Sequence, residues 1–186
     1  MLDIVSFSGL RPGELLVTLL VQSILLITFV LLFLWSVNPL YHLIVGIVYF
    51  FHSLTIFLFD IYRIYFCRAV IGFFHFTSII VLFFVIVLQY SVLYIIIWDF
   101  DNEAFSGIPS EVEGIIGRLS IVGLSIYFST ETVTGLGAAT IFPSTGAGFF
   151  VNWLNTTNSW FFLVFSVTKA TNLIDQFQSP AEHRRT

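Results

Sequence analysis

Lysine, cysteine and methionine each occur once in these 186 residues, at Lys169, Cys67 and Met1. A lone cysteine excludes an internal disulfide and any metal site built on paired cysteines. Charged residues are only 10% of the chain and the net charge is −4, so the basic surface that nucleic-acid binding needs is missing. No glycine-rich phosphate loop and no Ser-His-Asp arrangement can be picked out. The N-terminal stretch MLDIVSFSGLRPGELL carries two acids rather than a basic n-region with a small-residue cleavage site, so the first apolar span is expected to be retained. These absences leave no catalytic centre expected within this chain alone.

What is present is apolar: 58% hydrophobic residues, 23 phenylalanines and a mean hydropathy of +0.98. A soluble domain cannot hide that much apolar surface, and a hydrocarbon core of about 30 Å takes about 20 apolar residues per helix. The expected fold is an all-α integral membrane protein, a single transmembrane domain of five helices, with four helices plus a re-entrant pore loop as the alternative. The spans are expected near residues 14–37, 40–59, 66–98, 114–137 and 149–171. Arg11-Pro12-Gly13 precedes the first, and Asn38-Pro39 ends it, because proline lacks an amide proton and disfavours helix in the residue before it. Span two then returns at once as an antiparallel hairpin. Asp60, Arg63 and Arg68 mark the next interface, and Asp99 to Glu113 reads as an acidic aqueous loop.

Spans four and five are interrupted by polar groups, Arg118 and Glu131 in one and the run from Asn152 to Ser159 in the other. Such groups must face protein or water, so lateral partners are expected besides the lipid bilayer. Glu131 is an intramembrane acid, expected to pair with Arg118, to serve a proton or ion, or to sit at the interface. His52 and His75 fall at similar depth on neighbouring spans, which is a haem-ligand arrangement if not simply two helix–helix hydrogen bonds. Asn155-Thr156-Thr157 fits a glycosylation sequon, but its membrane depth makes it a chance match. The segment from Tyr65 to Leu88 holds one arginine and a polar kernel of His75, Thr77 and Ser78. Small hydroxyl residues there permit close helix contact and can bend a helix by bonding to carbonyls one turn back.

Asn38-Pro39 after the first span is followed by Tyr65-Phe66, by His75-Phe76-Thr77-Ser78-Ile79 and by Val81-Leu82-Phe83. With Gly146, Phe149-Phe150 and Trp153 leading the fifth span, this pattern resembles the subunit 6 family of respiratory complex I, the proton-pumping NADH:ubiquinone oxidoreductase. Thr77-Ser78 stand where that family has Gly-Ala, and His75 where it has tyrosine. The resemblance implies a core membrane-arm subunit whose third helix switches between α and π-bulged forms, coupling quinone reduction to proton translocation. The coupling helix would comprise Tyr65, Phe66, His75, Thr77, Ser78, Ile79, Val81, Leu82 and Phe83. NADH, FMN, iron–sulfur clusters and quinone would be held by other subunits of the complex, and none by this chain, whose partners would be other transmembrane subunits. The location implied is the mitochondrial inner membrane or a bacterial plasma membrane.

Tyr127 to Gly148, YFSTETVTGLGAATIFPSTGAG, is similar in turn to a potassium-channel pore helix and filter. Glu131, Thr132, Thr134, Gly137, Pro143, Thr145 and Gly148 carry that likeness. Selectivity in that family rests on stacked carbonyls of a Thr-Val-Gly-Tyr-Gly segment. Here the segment reads Gly135-Leu136-Gly137-Ala138-Ala139, without the threonine, tyrosine and final glycine. The two readings differ in topology. A re-entrant loop places Arg11, Arg63, Arg68, Lys169, Arg184 and Arg185 on one side, as the positive-inside rule prefers, whereas five crossings separate them. The respiratory reading covers more of the chain and is taken first.

Overall fold

The computed structural model describes residues 12–36, 38–66, 73–136 and 140–178. Among the described residues, five helices carry the fold: α1 (Pro12–Trp35), α2 (Pro39–Phe66), α3 (Phe73–Phe100), α4 (Gly114–Thr134) and α5 (Gly146–Gln178). Two short strands, β1 (Phe105–Ser106) and β2 (Phe142–Pro143), pair antiparallel beside them. Among the described residues, two helices contain stretches long and apolar enough to cross a membrane: Pro39–Leu58, with mean hydropathy 1.7, and Ile79–Phe100, with 2.7. Leu20–Trp35 is a shorter apolar segment. An outward belt of apolar side chains, among them Ile24, Leu31, Ile44, Phe51 and Phe84, fits a bundle embedded in a membrane.

The break between α1 and α2 follows from two adjacent residues. Pro39 takes the first helical position of α2, where a missing amide proton costs nothing. Asn38 caps that helix, its Oδ1 accepting from Leu40 N at 3.0 Å. The two helices then lie antiparallel, with Gln22 against Ser53 and His52 at one level and Leu32 against His42 at the other.

Helix α3 is the axis of the bundle and packs on α2, α4 and α5. Its residues Val85 to Val87, Gln89 to Val92 and Tyr94 to Ile96 are buried, so it is enclosed nearly all round. Tyr65 and Phe66 belong to α2, and the described part of the third helix begins at Phe73. Residues 67–72, which the expected third span includes at its start, lie outside the described residues.

The direction of α4 and α5 differs from the expectation of five successive crossings. Arg118, near the start of α4, lies with Trp98 and Asp99 at the end of α3. The start of α5 lies at that same end, because β2 pairs with β1, which follows α3 directly. Further along, Asn155 meets Ser129, and residues Thr132 to Gly135 face Thr156, Ser159 and Leu163. Contact positions rise together on both helices, so α4 and α5 run parallel. Two consecutive single crossings must be antiparallel. The chain therefore leaves this end as a helix and is back beside it at residues 140–145.

Candidate functional site

Helix α4 has 21 residues and is about 30 Å long. Its last turn is closed by Gly135, whose φ of 71° is left-handed and whose amide donates to Thr132 O at 3.3 Å. Leu136 N reaches Glu131 O at 3.2 Å, completing a Schellman-type cap that turns the chain sharply away from the helix. The level of this turn can be placed against α3. Asn158 hydrogen-bonds Tyr90, and Phe162 lies 6.3 Å from Phe83, so the stretch of α5 beside the turn faces residues 83–90 of α3. That is roughly 14–24 Å along α3 from Asp99. The turn lies within the depth of the apolar stretch Ile79–Phe100.

The return is anchored at its far end. Ser144 N donates to Ala104 O at 2.7 Å and Ser106 N to Ser144 Oγ at 2.9 Å, beside the β1–β2 pair. Phe105 of β1 drives a buried ring between Tyr94, at 5.2 Å, and Phe128, at 5.7 Å. Within α4, Tyr127 donates its hydroxyl proton to Glu131 Oε1. The other carboxylate oxygen of Glu131 is buried with no hydrogen-bond partner among the described residues.

Beneath the return runs a polar seam shared by α3, α4 and α5. Asn155 is fully buried, and its Nδ2 donates to Tyr94 Oη at 2.8 Å and to Ser129 Oγ at 3.5 Å. Tyr94 donates in turn to Asn152 Oδ1 at 3.4 Å. Ser159 Oγ donates to Asn155 O at 2.6 Å. Most other hydroxyls are satisfied within their own helix. Thr130, Thr132, Thr134, Thr156 and Thr157 each donate to the carbonyl four residues back at 2.8 or 2.9 Å. This is how two polar helices tolerate an apolar setting. A cavity of about 200 Å³ opens between the end of α4 and α5, lined by Thr132, Gly135, Thr156, Ser159, Trp160 and Leu163.

Other expected site residues are placed less centrally or differently. Arg118 and Glu131 do not pair, since thirteen residues of helix hold them about 20 Å apart. Arg118 instead donates to the carbonyls of Phe33 and Ser36 at the end of α1, its guanidinium 5.5 Å above the Phe33 ring. His52 Nδ1 lies 2.7 Å from Gln22 Oε1, which corresponds to the helix-bonding alternative for that histidine. The side chains of Tyr65, Phe66, His75, Thr77 and Ser78 lie outside the described residues; the backbone is helical at all five. Leu82 is fully buried in the core, while Ile79, Val81 and Phe83 are half-buried on α3. The sequon asparagine, Asn155, is enclosed and engaged, so it offers no surface for glycosylation.

Two functional candidates escape sequence reasoning. His42 and Asp99 are 57 residues apart and sit inside or beside apolar runs, yet they meet at 2.7 Å. The available signal was weak: a histidine three residues after Pro39, and an acid closing the longest apolar segment. Comparison with protein-family models, curated proteins and solved structures finds no match for this chain.

Proposed function

We propose that this chain is the pore-loop subunit of a homo-oligomeric membrane channel for cations. In this reading α1, α2, α3 and α5 cross the bilayer, α4 enters it without crossing, and the chain is back at the starting face by residues 140–145. The observation that carries the reading is the parallel course of α4 and α5 joined by a return segment. Such a segment is tolerated at membrane depth only where it is covered by protein or lines water. One copy covers it on one side, so the other side is left for further copies around a common pore. Because the threonine and tyrosine of the selective segment are absent, the pore is expected to pass cations with little preference for potassium over sodium. The charges agree with this topology. Asp99, Asp101, Glu103, Glu111 and Glu113 gather at the α3–α4 end, while Arg63 and Lys169 lie toward the other ends of α2 and α5.

A second reading keeps the chain as a membrane-arm subunit of NADH:ubiquinone oxidoreductase in the mitochondrial inner membrane. It is favoured by the break at Asn38-Pro39 and by the central, continuous α3. Cofactors and quinone would then lie on partner subunits.

Side-specific labelling separates the two. In a Cys67→Ser background, Ser110→Cys and Ser144→Cys are expected to react with an impermeant maleimide from the same face of sealed vesicles. Labelling from opposite faces would restore five crossings and remove the pore-loop reading. The purified chain is then expected to migrate as a homotetramer and to release monovalent cations from liposomes. Co-migration with NADH dehydrogenase activity, and no flux, would favour the respiratory assembly.

A further inference from the structure

We infer that His42 and Asp99 form a proton-dependent latch that joins the ends of α1, α2 and α3 and adjoins the seat of α4. His42 is fully buried in the first turn of α2. Its Nδ1 lies 2.7 Å from Asp99 Oδ2 on α3, and its Nε2 lies 3.0 Å from Leu32 O on α1. A carbonyl oxygen only accepts hydrogen bonds, and so does an ionised carboxylate. A neutral imidazole has one N–H and cannot donate to both. Both contacts are made only when the pair holds one more proton than a neutral ring beside a carboxylate. That proton sits on the ring as imidazolium, or on Asp99, which then donates to Nδ1 while Nε2–H donates to Leu32. In either form, its loss sets a ring lone pair against an oxygen lone pair in a buried place, and one of the two helix contacts must open.

The surroundings make this local event reach further. Asp99 opens onto a cavity of about 390 Å³ shared with Trp98, Asn102, Ser110, Glu111, Glu113 and Arg118, a route by which water can exchange the proton. The charged groups facing the pair are Arg118 from α4 and Glu111 and Glu113 from the segment before it; the described part of α1 presents only backbone carbonyls and the Phe33 ring. Arg118 donates to Phe33 O and Ser36 O, next to the Leu32 carbonyl that His42 holds. Cations at a helix C-terminus are favourable, so α1 ends on Arg118 and, when the proton sits on the ring, on the His42 imidazolium as well. Opening at Leu32 loosens the α1 end against which α4 is braced.

This inference does not depend on whether the chain conducts. The full chain in nanodiscs is expected to lose about 5 °C of melting temperature between mildly acidic and mildly alkaline pH. His42→Gln is expected to flatten that profile. Asp99→Asn provides a second, structurally gentle variant. The introduced amide can donate to Nδ1 of a neutral ring, leaving Nε2–H for Leu32, so the latch closes at every pH and the profile is again flat. In the wild type, nitrogen NMR of the His42 ring is expected to change over the same pH interval as the melting temperature. A wild-type profile retained in full by Asp99→Asn would overturn the latch. So would a His42 ring signal that does not change across the interval.

Discussion

Gly107→Ala is expected to destabilise the protein by about 3 kcal/mol or more and to detach the return segment from its anchor. Gly107 follows β1 with φ of 88°, a left-handed conformation costly for a residue with a Cβ. A Cβ built there would stand 2.0 Å from the backbone oxygen of Thr140 and 2.9 Å from its carbonyl carbon. Those are backbone atoms, so no side chain can rotate aside. The strand must move, and with it Phe105, whose ring fills the space between Tyr94 and Phe128. Thermal unfolding and the maleimide reactivity of Ser144→Cys both report this. A variant with wild-type melting and unchanged labelling would show that the return does not press on this turn.

Tyr94→Ala is expected to cost about 4 kcal/mol, the largest effect of any truncation in the seam. The side chain is fully buried and its ring lies 4.7 Å from Phe128 and 5.2 Å from Phe105. Its hydroxyl accepts from Asn155 and donates to Asn152. Truncation therefore empties a large volume and strips two amides of a partner at once. Tyr94→Phe separates these effects, because it keeps the ring and removes only the hydroxyl. That variant is expected to lose about 1–2 kcal/mol, since buried amides left without a partner are costly while the packing survives. Equal melting of the two variants would mean that the ring contributes nothing beyond its hydroxyl. If the seam supports the re-entrant helix, flux through reconstituted protein should fall in the same order.

Much of the secondary structure is legible in the chain because its causes are local. The end of α1 and start of α2 follow from Asn38 and Pro39, which act on their own backbone. The apolar runs that form α2 and α3 are long enough to recognise by composition, and the acidic segment from Asp99 to Glu113 reads as a loop, although α3 runs on to Phe100 and β1 lies within the segment. Glycine at 135 marks the stop of α4, although its neighbours read equally well as a continuing span. The boundary between α2 and α3 was harder, because apolar residues run through the connection and no proline or glycine pair marks it.

The partners of the polar side chains were not legible. Arg118 and Glu131 share a helix and have opposite charge, yet helical rise holds them far apart and each finds its partner elsewhere. Asn155 reads as an interruption of an apolar span, but three helices meet around it and turn it into a hub. By itself the sequence determined a membrane-compatible helical chain and the α1–α2 hairpin, and left a fifth crossing and a re-entrant loop around Glu131 as alternatives. Only the tertiary structure decided that α4 and α5 run parallel and that His42 meets Asp99. Direction and pairing depend on contacts between residues tens of positions apart, and hydrophobicity specifies burial without specifying which buried surfaces will meet.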